Sequence, residues 1–179
     1  MKLSRSELKD FLEEKADQYN NPSFIASDPV SVPHLFSRKE DIEISGFLTA
    51  TLSWGNRAMI LRNSARMMEL LDNSPYEFVM GHSENDLAAF RGFVHRTFNS
   101  EDLAFFVPAL RNIYENHGGP EKIFAENLSP DSIQPAISAF RKSFLEMPHQ
   151  RRSEKHIPDP SNGSAAKRIN MFLRIIKVA

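Results

Sequence analysis

Four copies of one short signature, a serine followed three residues later by an acid, punctuate the first half of this chain. They are Ser4 with Glu7, Ser37 with Glu40, Ser74 with Glu77 and Ser83 with Asp86. At that spacing the serine hydroxyl accepts from a backbone N–H of a first helical turn, and the acid reaches back to the serine N–H, so each pair marks a helix start. Apolar residues then recur at helical intervals, as in Leu8, Phe11 and Leu12, or Ile60, Leu61, Met67, Met68 and Leu71, or Ile133, Ile137, Phe140 and Phe144. Strand-like alternation is confined to residues 91–98, where no partner strand is in view, so that stretch is expected to be a connector. The segment from Ile42 to Trp54 is apolar on most faces and is the candidate central buried helix. These patterns predict an all-α fold, one globular multi-helix domain over residues 1–179 with about 7–9 helices.

Further along, Asn99 or Ser100 is expected to cap a helix that Pro108 kinks or restarts, since proline removes a ladder bond and crowds the preceding turn. Ser129-Pro130 is expected to open the next helix. Residues 148–163 are polar, basic and interrupted by proline, and read as a mobile loop. Residues 164–179 read as a terminal amphipathic helix with a stripe of Ile169, Phe172, Leu173 and Ile176. Buried side chains of that size are each worth roughly 1.5–3 kcal/mol. The stripe is therefore expected to dock on the body, on a partner chain or a second copy, or on residues this chain lacks.

A chain of 179 residues buries roughly two-thirds of its unfolded surface. It has no cysteine, which excludes disulfides, thiolate nucleophiles and cysteine-ligated metal sites. No apolar run approaches the roughly 18 residues of a membrane span, and the amino terminus turns acidic at Glu7. A cytoplasmic location is expected.

The net charge of −1 conceals a gradient: residues 1–140 carry 13 Lys and Arg against 20 Asp and Glu, residues 141–179 carry 9 against 3. A basic end on an acidic protein is a footprint for phosphates. Two segments fit it. At Trp54-Gly55-Asn56-Arg57 an aromatic ring, a turn glycine and a cation meet where one helix gives way to the next, as a stacking surface for a base requires. At Ser164–Arg174 a helix start offers free N–H groups, with Lys167, Arg168 and Arg174 adding charge. With Arg151 and Arg152 from the preceding loop, these are the candidate nucleic-acid contacts. The plainer alternatives are a core tryptophan beside a solvent arginine, and a solvated basic helix face.

Catalytic signals are weak. The six histidines (34, 82, 95, 117, 149 and 156) form no metal-ligand pair, and each reads as a surface or satisfied loop residue. Asp28, Glu40, Asp41 and Glu43 cluster in sequence, as a paired-carboxylate site would. Favourable charge at a helix N-terminus accounts for them more simply. Hydrolase-elbow, P-loop and dinucleotide motifs are missing. No catalytic residue, metal or cofactor is assigned.

Several runs together carry a resemblance: Pro33-His34-Leu35-Phe36, Asp41 to Leu48, Trp54-Gly55-Asn56-Arg57, His95-Arg96-Thr97-Phe98 and Ser164 to Arg174. They resemble a bacterial family known as a domain of unknown function, which in turn is similar to the helix–hairpin–helix DNA glycosylases. The resemblance implies an all-helical fold, DNA as partner, and a catalytic aspartate and DNA-gripping hairpin lying beyond the helix at Lys167–Arg174. No position here matches that aspartate. On this comparison the chain is expected to be the N-terminal portion of a longer protein and to lack a complete active site.

Overall fold

The computed structural model describes residues 4–19 and 22–178; Met1–Leu3, Asn20, Asn21 and Ala179 lie outside the described residues. Its α-helices are α1 (Arg5–Tyr19), α2 (Pro22–Ile25), α3 (Lys39–Leu52), α4 (Arg57–Leu70), α5 (Pro75–Gly81), α6 (Glu84–Leu87), α7 (Ser100–His117), α8 (Pro120–Asn127), α9 (Gln134–Phe144) and α10 (Lys167–Val178). Two of these, α2 and α6, are single turns. The only strands among the described residues are β1 (Val94–His95) and β2 (Phe98–Asn99), a two-residue antiparallel pair. The all-α class holds, and residues 91–98, expected as a connector, close into this small hairpin with Arg96 at its tip in the left-handed region (φ 55°).

Helix α3 is the centre of the fold. Every residue from Glu43 to Leu52 is buried, so both its faces need cover. Phe47 supplies the joint: its ring meets Phe106 of α7, Phe140 and Phe144 of α9, and Phe172 of α10 at centroid distances of 5.3–5.8 Å. Gly46 lets α10 come close, since a Cβ there would stand 3.1 Å from the Ile175 side chain. That closeness buries Ile169, Phe172 and Ile175, with Phe172 at 0% exposure, and leaves Leu173 and Ile176 half-buried against the same core. Of the docking places expected for the terminal stripe, the body of the same chain is the one seen: α3 covers Ile169 and Phe172.

Local starts differ from the sequence pattern where a tertiary partner takes over the cap. The reciprocal bonds of Ser4 with Glu7 and Ser83 with Asp86 are present. Ser37 plays no such part, because α3 begins one residue later behind Arg38. Ser74 precedes α5, but the acceptor for the Tyr76 N–H is Asp41 of α3, at 2.8 Å. The acidic cluster is likewise absorbed into structure: Asp28 accepts from the Val30 N–H at 3.1 Å, and buried Glu43 accepts from the Tyr114 hydroxyl at 2.8 Å. Burial pushes the Glu43 carboxyl above the ordinary range.

Three further expectations are corrected. Helix α7 does not restart at Pro108 but runs as one helix from Ser100 to His117, with Phe105, Phe106, Val107, Ala109 and Leu110 around the proline all buried. Helix α9 starts at Gln134 rather than at Ser129-Pro130. Ser129 and Ser132 exchange both backbone hydrogen bonds at 3.2 Å, which closes a tight turn ahead of it. Residues 148–163 are not a loose loop; they form two 3-10 turns, Arg151–His156 and Pro160–Asn162. Arg141 of α9 clamps them through the Glu154 and Ile157 carbonyls and the carboxylates of Glu154 and Asp159.

Truncating Phe172 should test the seal of α10 on α3. Phe172→Ala is expected to lower stability by about 3–5 kcal/mol in urea denaturation, whereas Leu12→Ala on α1, where the side chain is 56% exposed, should change it by under about 0.5 kcal/mol. Comparable effects of the two substitutions would contradict the packing described.

Candidate functional site

The two segments that stood out in the sequence meet in space, at Trp54 and at Lys167 and Arg168. Helix α3 ends at Leu52, and Ser53-Trp54-Gly55 turns the chain into α4, whose first turn is capped by Asn56 accepting from the Met59 N–H at 3.2 Å. Gly55 has φ 108°, and the Arg96 guanidinium from the hairpin tip occupies the space a Cβ would need. A side chain at position 55 is strained by the backbone conformation, and it would also have to push the Arg96 guanidinium aside.

Trp54 is half-buried and touched from three elements. His95 of β1 meets its ring edge-on at 5.4 Å, His156 stacks nearly parallel at 6.0 Å, and the Arg168 guanidinium lies 4.9 Å from the ring centroid. Arg168 also donates to the Thr51 carbonyl at 3.2 Å and the Lys155 carbonyl at 3.1 Å. It therefore binds the negative end of α3 to the start of α10. Its donors serve the fold as much as any ligand.

Behind Trp54 sits a buried carboxylate. Asp102, in the first turn of α7, is 0% exposed. Its oxygens accept from the Asn99 N–H at 2.9 Å, the Arg152 guanidinium at 3.0 Å and the Ser153 hydroxyl at 2.6 Å. His156 Nε2 stands 3.3 Å from Asp102 Oδ2. Arg152 further donates to the Asn99 side chain and the Thr97 carbonyl, so α7, the hairpin and the 151–156 turn are tied together at one point. Both histidines against the Trp54 ring are buried, His95 at 1% and His156 at 2% exposure. Desolvation lowers both imidazole pKa values: His156 is pushed down to about 4, with the Asp102 charge opposing the shift and Arg168, Lys155 and Arg152 adding to it. His95 is lowered for the same first reason, and its Nδ1 accepts from the Asn63 amide at 2.8 Å.

These walls enclose an open cleft of about 490 Å³ lined by Ser53, Trp54, Thr97, Lys155, His156, Lys167 and Arg168. Lys155 and Lys167 are exposed on its rim. The α10 ladder begins with the Asn170 N–H bonding to the Ala166 carbonyl, so the N–H groups of Lys167, Arg168 and Ile169 have no acceptor within the helix. Ala166 ahead of them is held at φ 48°, a conformation that costs a non-glycine residue of order 1 kcal/mol and collects at binding sites. Ser53 donates its hydroxyl to the Thr49 carbonyl at 2.8 Å and so is not set up as a nucleophile. Among the described residues no three histidine, aspartate or glutamate side chains group as metal ligands do.

Of the seven candidate contacts, Trp54, Lys167 and Arg168 line the cleft. Arg152 lies just behind it, a third exposed and held by Asp102. Arg57 points elsewhere, 3.9 Å from Asp28 and over the Phe24 ring. Arg151 is exposed on the turn but does not line the cleft, and Arg174 is exposed further along α10. Sequence reasoning missed Lys155, Thr97, His95, His156 and Asp102. Only Asp102 had a local signal, as the acid of an Asn99-x-x-Asp102 capping box. Of the two histidines read as surface or satisfied loop residues, His156 lines the cleft, and His95 is buried against the Trp54 ring without lining it.

Fold and site together define an all-helical protein with a basic, tryptophan-walled cleft. The chain belongs to the family described as "Protein of unknown function (DUF2400)", whose model matches residues 28–176. That span leaves out α1 and α2 and contains every residue of the cleft. Neither a curated protein nor a solved structure matches the chain. No helix among the described residues is long and apolar enough to cross a membrane.

The buried histidine gives the folded state a pH dependence with a definite sign. Unfolded, the His156 imidazole takes up a proton near pH 6.5; folded, it does so only at about 4. The unfolded chain therefore binds more protons in that window, and stability falls as the pH is lowered through it. The expected loss from His156 is on the order of 2 kcal/mol between pH 7 and pH 4. Urea midpoints for the wild type and His156→Gln should converge as the pH falls; a parallel decline in both would rule His156 out as the cause.

Proposed function

We propose that this chain binds nucleic acid, taking a phosphate-bearing strand into the Trp54 cleft. The observation that carries the reading is the convergence itself: the basic C-terminal segment, through Lys155, Lys167 and Arg168, lines the same cleft as the only tryptophan in the chain. Lysine ammonium groups and the N–H groups at the start of α10 suit phosphate oxygens, and the indole suits a base beside them. The similarity to helix–hairpin–helix glycosylases read from the sequence fits DNA as the partner. Base-excision chemistry is no part of this proposal.

The competing reading, a helical module that associates through Ile169, Phe172, Leu173 and Ile176, is less favoured. Within the chain the first two of these already pack against the core, and the others are half-buried on it.

Because Trp54 is the single tryptophan, intrinsic fluorescence reads the cleft directly. Titration with oligothymidylate should change its emission. For two phosphate contacts on a single strand, the affinity should drop about sevenfold when salt is raised from 50 to 200 mM. Lys155→Ala with Lys167→Ala should weaken binding and flatten the salt dependence, while Lys9→Ala on α1 should alter neither. Binding that is absent, or indifferent to salt, would refute the proposal.

A further inference from the structure

We propose that the Trp54 cleft takes up its anionic ligand together with one proton, and that His156 is the group that receives it. The inference rests on the nucleic-acid reading above and adds a proton to what the site binds.

The geometry is that of a base held in reserve. His156 lines the cleft on one side and on the other brings Nε2 to 3.3 Å from Asp102 Oδ2. Among the described residues that nitrogen makes no hydrogen bond of its own. The charged and titratable groups facing it come from every neighbouring element. Asp102 comes from α7 and Arg168 from α10; Arg152 and Lys155 stand on its own turn; His95 of β1 lies across the Trp54 ring. Without a ligand, burial and three cations oppose an imidazolium, and the one carboxylate that would favour it already accepts from Asn99, Arg152 and Ser153.

A phosphate seated between Lys155, Lys167 and Arg168 reverses this balance. Its negative charge offsets the cations that disfavour the proton, and the imidazolium then lies between two anions, the ligand and Asp102. The proton comes from the buffer and adds to whichever ring nitrogen lacks one in the neutral tautomer; no bond in the ligand changes. Linkage makes the effect reciprocal: if the ligand raises the proton affinity of His156, lower pH raises the affinity for ligand. With one proton coupled, the gain approaches tenfold per pH unit.

The probe is an oligothymidylate without terminal phosphates, which has no group titrating between pH 5 and 8. Calorimetric titrations in buffers of different ionisation enthalpy count the protons taken up per strand bound. Uptake rising towards one as the pH falls from 8 to 5.5 is expected in the full chain, retained in His95→Gln and lost in His156→Gln, whose affinity should then be flat with pH. In the unaltered protein, the His156 ring resonances should titrate at higher pH with ligand than without, a readout that does not depend on a variant folding. Binding without proton uptake, or uptake that survives His156→Gln, would overturn this inference and leave nucleic-acid binding standing. No binding at any pH would overturn both.

Discussion

A carboxylate removed from water is stable only if its acceptor sites are matched by donors, and Asp102 meets that demand by drawing in three parts of the chain. The Asn99 N–H comes from the hairpin end, and Arg152 and Ser153 come from a turn some fifty residues later. Leaving one such donor or acceptor unmatched in the interior costs about 1–3 kcal/mol, more when the group is charged. The start of α7, the β1–β2 hairpin and the 151–156 turn are thus obliged to stay together. His156 and Trp54 sit against that junction, so the inner wall of the cleft is a consequence of how one buried charge is satisfied.

The outer half of the cleft depends on the apolar core. Phe47 gathers α7, α9 and α10 around α3, and Gly46 allows α10 to approach closely enough to bury Phe172. That contact places the first turn of α10 beside the last turn of α3, where Arg168 bridges the Thr51 and Lys155 carbonyls and covers Trp54. Lys167, the residue before it, is thereby delivered to the cleft rim. The match to the DUF2400 family over residues 28–176 takes in both halves of this arrangement.

What the sequence revealed was local. The buried character of α3, the stripe of α10, the capping boxes at Ser4 and Ser83 and the cap at Asn99 depend on residues within a turn or two of each other, and local pattern exposes them. Ser37 and Ser74 misled because α3 starts at a different residue and because Asp41, thirty-five residues from Tyr76, supplies the cap of α5. Residues 148–163 looked mobile because their anchors, Arg141 and Asp102, lie outside the segment and nothing in its own composition betrays them. For the cleft, Trp54, Lys167 and Arg168 were legible as an aromatic corner and a basic helix start. His95 and His156 were not, because a lone histidine carries no trace of the distant residues that bury it.

The central claim is that Asp102 holds the cleft together, and the near-isosteric Asp102→Asn replacement tests it directly. The amide keeps the shape but has one acceptor oxygen in place of two, so it can no longer accept both from Arg152 and Ser153, which share Oδ1, and from the Asn99 N–H, which uses Oδ2. Measured at neutral pH under conditions where the helical circular dichroism is preserved, Trp54 emission should move to longer wavelength and become more open to acrylamide quenching, as the 151–156 turn loosens from its wall. Emission and quenching indistinguishable from the unaltered protein would show that the cleft stands without this charge, and the account would fail.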